Sequence, residues 1–582
     1  MRNANASSHA EKKEEGGTEN RKSAEPAPKP SAAKPQQKQP LVFTFEEIRY
    51  KDVLKNVTEV LQSGQMTAIL GLSGAGKTTL LKIIAGRKKK SSGRLLINGK
   101  ELSSRNIRKH IAYVHQENHL FSQLKVKEML LYTIRLKLPK EKEPDALADR
   151  ILTTLGLFHI RNSFIGDPIE EASGISGGER KRLSIALELI STPEILFLDE
   201  PTSGLDAYSS EALILHLKKL TDAGMIVAMT IHQPSSEVFR LFDNMIIIRQ
   251  GEIVYCGSSA ELEEYLAALG LQCPAYTNLA DHIFRVLERV PSLKRVSKTT
   301  PGEVNELEQI RKKSSSLRDM VRETKILVFR NYLCSFRHPR YILAKATQAT
   351  IIATVTALLM YNIPAKEKHQ RETNVHGCFW ALCMGMFSAF AYGAVSIVFT
   401  DKNIILKEYG SSYYNFLPYF VAKVFADFSI TCLYPFISAP IIFTAARIGS
   451  VYHVLTCFLL GAVGHALGIL VSSIGNTSEI SLTILPAIMY PISMLTGGAV
   501  DITSIMAGLR NLQYISPTRH AFNIMIKMHY ENETEYGART MSVLNGFITA
   551  KQSAAVLGVM YFVLIVPAGV ILKKRISMQS RS

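Results

Sequence analysis

The sequence predicts an α/β domain followed by an all-α membrane domain of six helices. Three observations predict it. Gly71-Leu72-Ser73-Gly74-Ala75-Gly76-Lys77-Thr78 has the form G-x-x-x-x-G-K-T. About a hundred residues later stands Ser176-Gly177-Gly178-Glu179, and soon after it an apolar run closes on Asp199-Glu200. Beyond Arg340, uncharged apolar stretches recur to the end of the chain, each near the ~20 residues a helix needs to cross a bilayer.

The 582 residues are too many for one core and divide by composition. Residues 1–40 are rich in Lys, Glu, Ala, Pro, Ser and Gln, so they are expected to form a disordered tail. They contain no apolar h-region or cleavage site, which predicts a cytosolic start. Residues 41–290 read as the nucleotide-binding domain, 291–340 as a charged, Ser-rich linker and a connecting helix along the membrane surface, and 341–582 as the membrane domain. Its six expected spans are Ala346–Ile363, Gly377–Thr400, Phe428–Ala446, Val454–Ile474, Ile480–Val500 and Ser553–Leu572. An even number of spans returns the C-terminus, with Lys573-Lys574-Arg575, to the cytosolic side.

The net charge of +18 raises the question of nucleic acid, but the basic residues are scattered and clusters such as Arg87-Lys88-Lys89-Lys90 are short. No nucleic-acid partner is expected; loops and the cytosolic flanks of membrane helices account for the charge. The seven cysteines form no C-x-x-C and no metal-like cluster.

The strand-like run Met66–Leu70 leads into the glycine loop, and Thr78–Ala85 is expected to continue as a helix. Gly71, Ser73, Gly74, Ala75, Gly76, Lys77, Thr78 and Thr79 are therefore the expected ATP phosphate cradle, built from inward-pointing backbone N–H groups, a helix N-terminus and one fixed positive charge. Thr78 offers a hydroxyl to Mg²⁺, and Asp199, at the end of Ile195–Leu198, offers a carboxylate. Glu200 beside it is the expected base that polarises the attacking water. Gln116, after a further strand at Ile111-Ala112-Tyr113-Val114-His115, is a candidate for Mg²⁺ or water, and His232, after Ile226–Ile231, for the γ-phosphate. Ser176, Gly177 and Gly178 begin a helix and form a second anion site.

Together these strings resemble an ATP-binding cassette (ABC) transporter of the G subfamily, the White/brown-complex type half-transporters. Ile175-Ser176-Gly177-Gly178-Glu179-Arg180-Lys181-Arg182, with Glu where many cassettes have Gln, carries the resemblance, as do Thr230-Ile231-His232-Gln233-Pro234-Ser235 and the order of cassette before spans. It covers about residues 41–575 and implies an ABC ATPase fold ahead of the six helices. It also implies that Ser176–Gly178 serve the Lys77 site of a second chain, in a homodimer or a heterodimer. Asp206, in Ser203-Gly204-Leu205-Asp206, then couples the two ATP sites. Glu408, in Lys407-Glu408-Tyr409-Gly410, lies on the helix that transmits cassette closure, with Arg337 as its suggested ion-pair partner.

The implied activity is ATP-driven export of an amphipathic or lipid-like small molecule, with membrane lipid as surroundings and the plasma membrane as location. A cassette-gated channel or regulator is the alternative. Phe387, Phe390, Met386 and Met494 are the expected cavity residues. Tyr50, or else Phe45, is the candidate for stacking on adenine. The chain departs from its relatives at Asn278-Leu279-Ala280-Asp281, where Asn-Pro-Ala-Asp is frequent, and in having no cysteine in 501–552. Asn532-Glu533-Thr534 is a sequon in that segment.

Overall fold

The computed structural model describes residues 40–166, 174–268, 270–274, 277–289, 316–498, 500, 502–531, 540 and 548–579. The expected tail, the linker at 291–315 and the Asn532 sequon lie outside the described residues.

Two sheets build the first domain. β1 (Val42–Tyr50), β2 (Leu54–Gln62), β4 (Ser92–Ile97) and β5 (Lys100–Glu101) form an antiparallel sheet in the order β2-β1-β4-β5. β3 (Met66–Leu70), β6 (Ile111–Val114), β7 (Ile195–Leu198), β8 (Ile226–Thr230), β9 (Asn244–Arg249) and β10 (Glu252–Ser258) form the second sheet, in the order β10-β9-β3-β8-β7-β6. Its five strands from β9 to β6 are parallel. β3, β6, β7 and β8 are buried throughout, as strands covered on both faces must be, and this explains their unbroken apolar runs. Ile69 stands beside Thr230, Met229 beside Leu198, and Leu198 beside Val114. The carboxyl ends of four strands therefore form one edge, where open α/β sheets carry their ligands.

The connecting helix Leu317–Phe336 leads into the membrane domain. Among the described residues, five helical segments are long and apolar enough to cross a bilayer: Pro339–Ala365, His369–Thr400, Phe416–Ala446, Val451–Ile474 and Ala550–Gln579. The fifth expected span, Ile480–Val500, is a shorter helix, Ser478–Met494, with Pro486 and Pro491 inside it. The third begins twelve residues before its expected start, at Phe416, because Lys423 and Asp427 interrupt the apolar pattern. Lys423 donates to Asp401 at 2.7 Å and lies 3.9 Å from Asp427, so the lysine's charge is met on both sides without ending the helix.

The expected cavity residues need correcting. Met386, Phe387 and Phe390 are buried in the packed core of the membrane domain, at most 1% exposed. Glycines on Val451–Ile474 bring that helix against them. A Cβ on Gly464 would stand 2.6 Å from the Phe387 carbonyl oxygen, and one on Gly461 2.7 Å from the Phe390 ring. Small residues spaced along one helix permit such close approach in a membrane. Met494 is half-buried.

Candidate functional site

The glycine loop leaves β3 and enters the helix Lys77–Ile84. Gly74 and Gly76 take φ values of 79° and 101°, in the left-handed region that favours glycine. Gly76 is the N-cap and offers no side chain, so the first amides of the helix have no capping acceptor. An anion's oxygens fit that vacancy. Lys77 is buried, and its Nζ donates to the carbonyl oxygens of Gly71 and Leu72 at 2.8 and 3.0 Å. Burial lowers the Lys77 ammonium from the usual lysine range, against the opposing pull of Glu200 and Asp199.

Asp199 gathers three donors from three elements. Its Oδ1 accepts from Thr78 Oγ1 and Thr230 Oγ1, and its Oδ2 from Tyr113 OH, each at 2.9 Å. Glu200 follows in a left-handed conformation, φ 43°, which turns its side chain away from that of Asp199. Its backbone N–H donates to Thr230 Oγ1 and its Oε2 accepts from Gln116 Nε2, both at 2.8 Å. Lys181, two residues beyond Glu179, donates to the carbonyl oxygens of His115 and Gln116 at 3.0 and 2.8 Å and so holds the Gln116 segment. Thr78, Asp199 and Gln116 are an all-oxygen donor set of the kind that suits a hard cation such as Mg²⁺. Among the described residues there is no competing cluster of His, Cys, Asp and Glu.

Sequence reasoning missed Tyr113 and Thr230. Each is a polar-tipped residue within a buried apolar strand, and a buried hydroxyl calls for a partner. His232 does not touch Glu200 or Gln116 through a hydrogen bond; its ring stacks on Phe284, with centroids 6.5 Å apart. It shares a cavity of about 400 Å³ with Gly71, Leu72 and Ser73, which sets it at the mouth of the loop. Of the two adenine candidates, Phe45 is wholly buried in the core. Tyr50 is half-buried beneath Lys88, whose Nζ lies 4.5 Å from the ring centre.

Ser176 caps the helix Gly177–Leu189, with Glu179 reaching back to the Ser176 N–H at 2.8 Å. No hydrogen bond among the described residues joins Ser176, Gly177 or Gly178 to residues 71–79 of the same chain. Asp206 caps the next helix, Ala207–Asp222, through Ser209, and a Cβ on Gly178 would meet the Ser209 side chain at 3.2 Å. The Ser176 and Asp206 segments are thus neighbours, apart from the phosphate loop.

The link to the membrane domain differs from the expected pairing. Glu408, on the helix Lys402–Gly410, binds Arg330 in a bidentate ion pair at 2.7 and 3.0 Å, and Tyr414 OH donates to the same carboxylate at 2.8 Å. The guanidinium also lies over Phe121 of the first domain, 4.5 Å from the ring centre. Arg337, the expected partner, sits two helical turns further on and binds Glu128 at 2.9 Å. Tyr413 OH meets Glu188 at 2.9 Å, and Arg87 Nη2 meets Ser411 at 3.1 Å. Burial, with Arg87 and Lys407 nearby, pushes His115 down to about 3, so this neighbour of Gln116 is neutral at ordinary pH.

A phosphate-binding loop, an acidic strand end and a helical membrane domain tied to the first domain by the Arg337–Glu128 ion pair and by hydrogen bonds define an ATP-driven membrane transporter. Comparison with known proteins gives the particular class. A family model described as ABC transporter matches residues 54–203 and one described as ABC-2 type transporter matches 322–530, between them more than half of the chain. The protein called Protein white in Drosophila melanogaster is 27% identical over 512 residues, covering 81% of this chain and 73% of its own. The ABC transporter ATP-binding protein/permease wht-1 of Caenorhabditis elegans is 28% identical, covering 82% and 77%. The Broad substrate specificity ATP-binding cassette transporter ABCG2 of Sus scrofa is 29% identical, covering 82% and 80%. The chain is an ABC transporter of the G-subfamily, half-transporter type, a multi-pass membrane protein that couples ATP hydrolysis to export.

Proposed function

We propose that two such chains pair so that Lys77 of one and Ser176–Gly178 of the other enclose each ATP. The observation that carries this reading is the capping geometry at both places. The phosphate loop has open helix amides and a buried lysine, while among the described residues no hydrogen bond joins the Ser176 helix start to it within one chain. Gly71, Ser73, Gly74, Ala75, Gly76, Lys77, Thr78 and Thr79 hold the phosphates. Thr78, Asp199 and Gln116 hold Mg²⁺, which when bound neutralises charge on the phosphate oxygens. Glu200 orients and polarises the attacking water, released from Gln116 when nucleotide enters, and His232 contacts the γ-phosphate from the loop mouth. Asp206 communicates between sites, and Glu408 passes closure to the spans through Arg330.

The cassette and both termini face the cytosol, and the plasma membrane is the proposed location. The cargo is an amphipathic or lipid-like small molecule. Support comes from the exposed apolar side chains of Ser478–Met494, including Ile480, Ile484 and Ile488, which would border a cavity between two chains. The broad specificity in the name of the porcine relative points the same way. Reconstitution in proteoliposomes tests the reading. Amphipathic compounds should stimulate ATPase activity and accumulate on the side opposite the cassette. Hydrolysis without vectorial movement of any compound in a broad amphipath panel would count against export of this class.

A further inference from the structure

A cavity of about 1150 Å³ lies away from the nucleotide site, as a trough between the helices Phe416–Thr431 and Ala550–Gln579. Leu417, Val421 and Phe425 line one wall, and Phe562, Val566 and Val570 the other; each is between 46% and 64% exposed. Both sets repeat every four residues, so each helix presents a continuous apolar stripe. Gly569 shapes the floor, since a Cβ there would stand 3.0 Å from the Phe420 ring. At 1.5 Å per residue the walls 416–428 and 561–573 each run about 18 Å. One leaflet of a ~30 Å hydrocarbon core is roughly 15 Å deep. The trough has the length of one leaflet.

Its end nearest the ATP-binding domain is polar, with Arg108, Asp319, Glu323, Asn415 and Lys573. The two acids are already engaged. Glu323 accepts from the Asn415 backbone and side chain at 3.0 and 3.1 Å, and Asp319 pairs with Arg322 at 3.7 Å. Lys573 has no ion-pair or hydrogen-bond partner among the described residues, so its ammonium, at the end of the Phe562–Val570 stripe, is placed to meet an anionic group there. We propose that the trough binds one anionic glycerophospholipid from the leaflet facing the ATP-binding domain. An acyl chain lies between the two stripes and the phosphate-bearing headgroup rests on Lys573. Basic pockets between membrane helices recognise anionic headgroups in this way. Tyr409 and Ser412, on the same wall, flank the end of the Glu408 helix, so the bound lipid touches the segment that joins cassette to spans.

Native mass spectrometry of the full-length protein, released from nanodiscs of mixed phosphatidylserine and phosphatidylcholine, tests the site. The wild-type chain should retain one phosphatidylserine in preference to phosphatidylcholine. Lys573→Gln should weaken that preference about fivefold, the loss of one basic contact with an anionic lipid. Val566→Trp fills the trough from an exposed position and should abolish retention of both lipids. Basal ATPase activity, which neither variant touches, reports that each has folded. Equal retention of the two lipids by the wild type, or unchanged retention in both folded variants, would overturn the proposal. Efficient crosslinking of two chains through Val566→Cys would overturn it too, by making the trough a contact between copies.

Discussion

Glu200 is constrained from three sides: a left-handed backbone, Thr230 at its N–H and Gln116 at its carboxylate. Such a conformation costs of order 1–3 kcal/mol and persists only where the surroundings enforce it. It separates two adjacent carboxylates, leaving Asp199 with the hydroxyls and Glu200 free to meet water. On the proposed assignment, Glu200→Gln keeps ATP binding and lowers turnover by about 10²–10⁴-fold, the usual weight of a positioned base. Single-turnover hydrolysis and nucleotide binding measured side by side check this, and near-normal turnover would remove Glu200 as the base. Lys77→Ala should weaken ATP binding by about 2 kcal/mol, the scale of a charge-assisted hydrogen bond, and lower hydrolysis with it. Titration with a fluorescent ATP analogue reads the affinity directly.

At the scale of elements, the buried Arg330–Glu408 pair joins connecting helix and coupling helix, with Phe121 stacked on the guanidinium. Arg330→Ala strands a carboxylate that is 2% exposed, a loss of roughly 3–5 kcal/mol for an uncompensated buried charge. Thermal unfolding should fall accordingly, and cargo-stimulated ATPase should fall further than the basal rate. If Glu408 only fills space, Arg330→Ala combined with Glu408→Gln would leave transport unaltered. The glycine contacts of Val451–Ile474 make a second test. Gly464→Ala sets a Cβ against the Phe387 carbonyl and should destabilise the membrane domain by about 1–3 kcal/mol through overpacking. Gly558, which has open space around it, is the control, since alanine there meets nothing within 4 Å.

For the whole molecule, the separation of the Ser176 segment from the phosphate loop makes a mixing experiment decisive. Lys77→Ala and Ser176→Arg are each inactive on the proposed reading. If sites are shared between chains, a mixed dimer holds one site with both lesions and one with neither, and ATPase activity should return on mixing. Sites built within one chain would leave a lesion in each, and no activity would return even where mixed dimers form.

The ATP site was legible in the sequence because its residues follow strand ends in fixed order. Glycines, a lysine and paired acids keep their meaning wherever the parallel sheet aligns those ends. Tyr113 and Thr230 were not legible, since their roles arise only when β6 and β8 flank β7 and bring two hydroxyls to one carboxylate. Most membrane spans were legible from length and apolarity, whereas Ser478–Met494 proved short and proline-broken, and the third span started early across Lys423 and Asp427. Which cation meets Glu408 was beyond pattern reading. Arg330 lies on the connecting helix and Arg337 caps its C-terminus seven residues on, and only the packing of the helix start at Val126, which presents Glu128 to Arg337, assigns them. The placement of Phe387 and Phe390 has the same character. Composition determined that they are apolar; the glycines of a neighbouring helix decided that they are core. Local chemistry sets what a residue can do, and tertiary packing alone sets which neighbour it does it with.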